Sequence, residues 1–234
     1  MGDTIRIQMM NTFTIYINEI QADHMVNKSR KGVALMQYLI LNREQPVPNQ
    51  RLLAALWSEE KSANPENALK TLVSRLRALL NQLSPGLGQA IVADRNAYHW
   101  QLLPGMSVDV YEIEDIFAAL SGHNGDIAWH KEQYARLMKL YSGDLLQNGE
   151  PAEWALARAT ALHNQYMAAV YSYIDVLKDE ENHKEIVNVC RAALDVDNFD
   201  DRLHMELMTA LIRTNRTSEA LVQYKHVIHL HYRY

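Results

Sequence analysis

The rhythm of the apolar residues changes along this chain, and that change does most to restrict the folds open to it. Phe13, Ile15 and Ile17 alternate with Thr12, Thr14 and Tyr16, the two-residue period of a half-buried strand. With apolar segments at 5–9 and 20–26 and turns at Asn11 and Asn18-Glu19, the opening residues read as a small antiparallel sheet. From Ser29, a plausible N-cap, Val33, Leu35, Met36, Leu39 and Ile40 recur at helical spacing. Residues 46–57 predict a second helix, with Pro48 in its first turn and Leu52, Leu53, Leu56 and Trp57 as its apolar stripe. A third helix is predicted over 64–80: Asn64 caps it, Pro65 opens it, and Ala68, Leu69, Leu72, Val73, Leu76, Leu79 and Leu80 share one face. Residues 90–102 return to strand character around a turn at Asp94-Arg95-Asn96. The order is sheet, three helices, hairpin.

Beyond Pro104-Gly105 the chain reads as helix almost throughout, with segments at 110–120, 127–140, 153–177, 184–194, 202–212 and 218–230. A shift of 34 residues superposes Glu185 on Glu219, Val187 on Leu221, Cys190 on Tyr224 and Leu177 on Leu211. That is the tetratricopeptide period, in which helix pairs bury their faces only by stacking on neighbours. The expected fold class is therefore mostly α with a small β component. A winged helix-turn-helix over 1–105 precedes an all-α tetratricopeptide-like domain over 106–234.

Charge divides at the same place. Residues 1–105 hold 11 Lys and Arg against 8 Asp and Glu, and residues 106–234 hold 12 against 20, so a net charge of −5 conceals a basic front and an acidic rear. The third helix carries Asn67, Lys70, Thr71, Ser74, Arg75 and Arg77 opposite its apolar face. Such groups reach base edges and phosphates when a winged helix lies in the major groove, although helix chemistry alone fits an ordinary solvated face equally well. The order of elements favours the first reading.

Residues 46–80 with the hairpin ending in YHWQL resemble the DNA-binding domain of OmpR-type winged-helix regulators, most specifically through VSRLRALL at 73–80. The likeness is to the antibiotic-regulator (SARP) group. The rear half, through 107–120, 135–170 and the two repeats, resembles the bacterial transcriptional activator domain that follows the winged helix in those regulators. The resemblance implies a sequence-specific regulator of transcription that acts on double-stranded DNA as an activator and contacts RNA polymerase; the scarcity of basic residues on one module adds the expectation of tandem promoter repeats. It implies base reading by Asn67, Thr71 and Ser74; helix geometry adds Lys70. Arg75 and Arg77 are expected on phosphates. Asn49, which stands where relatives often carry a basic residue, is grouped with them. Arg95 and Asn96 form the expected wing, in place of the usual glycine-rich one. The loop of Ser58, Glu59, Glu60 and Lys61 is the expected polymerase contact. A homodimer on DNA is expected, because one module with so few basic residues binds weakly.

Other chemistry is thinly represented. DVDNFDDRLHME at 195–206 imitates a calcium loop, but Phe199 and Asp200 stand where an oxygen ligand and the turn glycine belong. His226, His229 and His231 lack an acidic or thiolate partner at metal-binding spacing. No P-loop, HExxH or nucleophile elbow occurs, so neither enzyme activity nor a cofactor or metal is expected. The single cysteine, Cys190, falls on an apolar helix face and fits a core position in a reducing cytoplasm. No apolar run approaches the length of a membrane span. The competing reading is an interaction scaffold, in which the acidic repeats bind a basic ligand and the winged helix makes protein contacts.

Overall fold

The computed structural model describes residues 2–24, 26–57, 64–122, 126–149 and 152–232. The chain divides into two compact units, one of residues 1–111 and 148–156, the other of residues 112–147 and 157–234.

In the first unit, β1 (Ile5–Gln8), β2 (Thr14–Ile17) and β3 (Ile20–Gln21) form the antiparallel meander that the alternation predicts. Asn11, Asn18 and Glu19 take positive φ values of 65°, 50° and 64°, as tight turns between short strands require. A fourth strand, β7 (Met106–Val108), joins this sheet in parallel with β1 beyond Gly105 (φ 78°), giving the order β3-β2-β1-β7. The first unit thus runs past the Pro104-Gly105 punctuation.

The helices of this unit are α1 (Arg30–Leu41), α2 (Asn49–Leu56) and α3 (Pro65–Leu83). Ser29 caps α1 by accepting from the Gly32 amide, and Asn64 caps α3 by accepting from the Asn67 amide. Pro48 lies outside α2, not in its first turn. It pairs with Ala97 as part of β4 (Val47–Pro48), where its missing N–H costs nothing on the free side of an edge strand. The hairpin of β5 (Ile91–Asp94) and β6 (Ala97–Trp100) completes a second sheet of order β4-β6-β5. The three helices pack on one another around Leu35, Leu39, Leu52, Leu69, Val73, Leu76 and Leu80, all essentially buried. Leu76 reaches within 3.7 Å of where a Cβ on Gly32 would stand.

One carboxylate secures this unit. Asp109, buried, accepts from the amides of Met9 and Met10 (2.8–2.9 Å) and from that of Val110 (2.7 Å). It satisfies three backbone donors that would otherwise be stranded at the end of β1 and the start of α4 (Asp109–Gly122).

The second unit takes up most of α4, α5 (Ile127–Leu140) and most of α6 (Glu153–Asp179), then α7 (His183–Val196), α8 (Asp201–Arg213) and α9 (Thr217–Tyr232). The 34-residue period is visible in the backbone. Glu181 (φ 54°) and Asn215 (φ 61°) are the left-handed residues that end α6 and α8. In both turns the next amide returns to the carbonyl five residues back, Asn182 to Leu177 (2.9 Å) and Arg216 to Leu211 (2.8 Å). Aromatic pairs fill the core before the repeats, with Tyr134 against Tyr173 and Tyr141 stacked on Tyr166 at 3.9 Å. Cys190 is fully buried in α7, and burial pushes its thiol up to about 12.

Candidate nucleic-acid interface

The candidate surface is one face of α3 and the turn of the neighbouring hairpin. Leu69, Val73, Leu76 and Leu80 turn into the core, which leaves Asn67, Lys70, Thr71, Ser74, Arg75 and Ala78 exposed on the other side. The sequence groups most of these, and the structure carries them on one continuous helix. Asn67 is the third helical residue. Its amide N–H is taken by the Asn64 cap at 3.1 Å, and no described group holds its side-chain amide. Thr71 donates its hydroxyl to the Asn67 carbonyl at 2.9 Å. What it shows outward is therefore its methyl group and the oxygen's lone pairs. Lys70 and Arg75 make no ion pair among the described residues.

Arg77 is different. It is half-buried, and its guanidinium turns inward to donate from Nε (3.2 Å) and Nη2 (2.8 Å) to the carbonyl of Ile91 in β5. The sequence grouped it with Arg75 because both lie near the polar face. Helix periodicity does not reveal that a carbonyl on a strand fourteen residues later captures it.

The wing turn is tighter than the sequence suggests. Asp94 pairs with Ala97, so only Arg95 and Asn96 form the loop, and Asn96 adopts φ 61°. Both turn residues are exposed. Asn49 lies beneath this turn: its backbone amide donates to the Asn96 carbonyl at 2.9 Å, tying the start of α2 to the wing. Its side-chain oxygen is buried and has no partner among the described residues. Also on the hairpin, His99 Nδ1 lies 2.7 Å from the Asp94 carboxylate. That pair, which nothing in the residue pattern signals, places a hydrogen-bonded carboxylate beside Arg95. Ser58, Glu59, Glu60 and Lys61 lie outside the described residues.

Other motifs from the sequence find structural employment. Asp200 of the calcium-like stretch caps α8 through the Leu203 amide (2.8 Å), and Asp197 accepts from the Phe199 amide (3.0 Å). Among the described residues no cluster of three acidic, histidine or cysteine side chains is arranged to hold a metal ion. No described helix is long and apolar enough to cross a membrane.

Comparison with known proteins matches both parts of the chain. The bacterial transcriptional activator domain matches residues 112–231, and the C-terminal domain of transcriptional regulatory proteins matches residues 23–97. The regulatory protein AfsR of Streptomyces coelicolor is 28% identical over 193 residues, 82% of this chain and 19% of AfsR. AfsR of Streptomyces griseus is 27% identical over 194 residues, with the same shares. This chain thus spans about a fifth of the length of those relatives. Among solved structures, Mycobacterium tuberculosis EmbR in complex with a low-affinity phosphopeptide superposes with a TM-score of 0.70. That match covers 96% of this chain and 59% of EmbR at 19% identity, a likeness of fold.

Proposed function

Because this chain belongs to the SARP-type regulators, in which a winged helix is followed by a bacterial transcriptional activator domain, we infer that it activates transcription by binding promoter DNA through α3. The observation that carries this is the open face of α3. A helix that buries Leu69, Val73, Leu76 and Leu80 in the core presents Asn67, Lys70, Thr71, Ser74 and Arg75 together, with Arg95 on the adjacent turn.

Each group has a chemistry suited to a duplex. The Asn67 amide suits the paired donor and acceptor of adenine, and Lys70 suits the acceptors of guanine. Thr71, with its hydroxyl hydrogen committed to its own helix, offers a methyl for thymine. Ser74 adds a small donor or acceptor. Arg75 neutralises a phosphate and fixes the register without reading sequence, while Arg95 and Asn96 approach the neighbouring backbone. Asn49 contributes through its main chain by seating the wing turn.

So few cations on one module give weak binding. Two protomers on tandem half-sites, spaced by about one helical turn of 10–10.5 base pairs, supply the rest. Polymerase contact belongs to the same proposal, with Ser58, Glu59, Glu60 and Lys61 as its candidates. Selection of bound sequences from random DNA tests the reading. Enrichment of a repeated short element at that spacing is the expected result. A pool that remains random through successive rounds contradicts it.

A further inference from the structure

We propose that Arg77 is the positioning residue that sets the wing relative to α3, so that it governs DNA binding through Arg95 without touching DNA. This rests on the reading of α3 and the wing as the DNA-binding surface. The starting point is the hydrogen-bond alternation of the hairpin. Gln101 donates its amide to the Ala90 carbonyl at 2.8 Å, which makes Ala90–Gln101 a hydrogen-bonded pair. In an antiparallel ladder the next pair, Ile91–Trp100, is then the open kind, and its carbonyls point away from the partner strand. Strand β5 lies at the edge of its sheet, so no further strand receives the Ile91 carbonyl. Arg77 receives it with two nitrogens from the side of α3.

A second contact at the same junction shows how closely the two elements are fitted. A Cβ on Gly88 would stand 2.6 Å from the Arg77 carbonyl and 3.0 Å from the Asn81 side chain, whose oxygen accepts from the Gly88 amide at 2.8 Å. The turn of 3-10 helix leading into β5 (Leu87–Ala90) is therefore pressed onto the last turns of α3, and Arg77 locks the first residue of the strand that follows. The wing is held at several points, among them the β4–β6 ladder. Its tip is held to α2 by the Asn49 amide, and its outer strand is held to α3 by the Arg77 side chain. The second of these joins β5 itself to the helix proposed to lie in the groove. Arg95 lies four residues further along the same strand and turn, so a change at the base of β5 is carried to it.

The test is a double-mutant cycle of Arg77→Ala and Arg95→Ala, with binding of a selected duplex measured over a salt series and amide exchange of the free protein measured alongside. The expected result has three parts. Arg77→Ala weakens binding by roughly tenfold, about the size of the loss from Arg95→Ala, since each removes one charge-assisted contact. The double variant is no worse than the poorer single one. Exchange quickens at the amides of β5 and β6 while α3 keeps its protection. A direct phosphate contact gives a different outcome: losses that add, a further drop of about 1 in the salt slope when Arg77→Ala is made in the Arg95→Ala background, and an unchanged hairpin; this overturns the proposal. Full affinity with Arg77→Ala overturns it as well. Should Arg77→Ala fail to fold, Arg77→Lys decides. It keeps the charge but not the two-pronged donor, so the proposal expects weaker binding and faster hairpin exchange, and unchanged values for both contradict it. If the wild-type protein shows no salt-dependent binding to any duplex, the DNA-binding reading itself fails. The exchange measurement then still reports whether Arg77 holds the wing.

Discussion

Charged side chains serve opposite ends in the two units. In the helical unit many of the cations are matched to neighbours, although Lys139, Lys184, Arg213 and Lys225 make no ion pair among the described residues. Lys131 reaches Glu180 at 2.6 Å, Lys178 lies between Asp175 and Glu206, Arg158 pairs with Glu114, and Glu219 receives both Arg191 and Arg216 at 2.7 Å. On α3 and the wing turn, Lys70, Arg75 and Arg95 have no such partner among the described residues. An acidic surface whose cations are largely paired offers a polyanion little. A nearly neutral unit that leaves three cations open on one side has a use for them. The sign of a domain's net charge is therefore a weaker guide to its partner than where its unpaired cations stand.

The contrast can be broken most forcibly from below. Leu76→Ala removes a buried contact at the centre of the three-helix core and should cost about 2–5 kcal/mol. Calorimetry should find the first unit melting well below wild type. A small shift would mean that α3 does not depend on its apolar face for its position. In the helical unit the corresponding lock is polar. His204 is buried, with Nε2 2.8 Å from the Asn198 carbonyl and Nδ1 2.7 Å from Gln223 Nε2. The first nitrogen donates and the second accepts, which fixes the tautomer and ties α9 to α8. Gln223→Leu strands the Nδ1 acceptor and should cost about 1–3 kcal/mol in urea unfolding. A neutral outcome would remove His204 from the account of the repeat.

Two smaller effects sharpen the comparison. Cys190, with its thiol pushed up to about 12 by burial, should resist labelling at pH 8 until the helical unit opens. Rapid reaction in the native protein would place it outside the core. Glu219 is held down to about 2 by hydrogen bonds from Arg216 and Arg191. Its folded value lies below its unfolded value, so its contribution is present above about pH 4.5 and is lost as pH falls towards 2. Because the carboxylate is exposed, the effect on stability is small, and titration followed by NMR is the proper readout. Arg216→Ala should move the Glu219 midpoint upwards; an unmoved midpoint removes the pair.

Local pattern made much of this legible. The caps Ser29 and Asn64, the turn residues Asn11, Asn18 and Glu19, and α5 over 127–140 follow from propensity and apolar period, both of which act within a few residues. The repeat was legible through its buried positions and is carried by identical turns at Glu181 and Asn215. Contacts made at long range left no such trace. Asp109 holds amides about a hundred residues away, β7 joins β1 across the whole winged helix, and Pro48 is drawn out of its helix by Ala97. The site divides in the same way. The open face of α3 is a matter of period, whereas the inward turn of Arg77 depends on where β5 comes to rest.

The central claim is that the open cations of α3, and not the paired ones of the repeats, meet DNA. Its most direct test is the slope of log affinity against log salt for a selected duplex, measured for wild type, Arg75→Ala and Arg191→Ala. The account predicts a slope lower by about 1 and weaker binding to every sequence for Arg75→Ala, with Arg191→Ala indistinguishable from wild type. Equal slopes for wild type and Arg75→Ala, or a loss confined to Arg191→Ala, would contradict it.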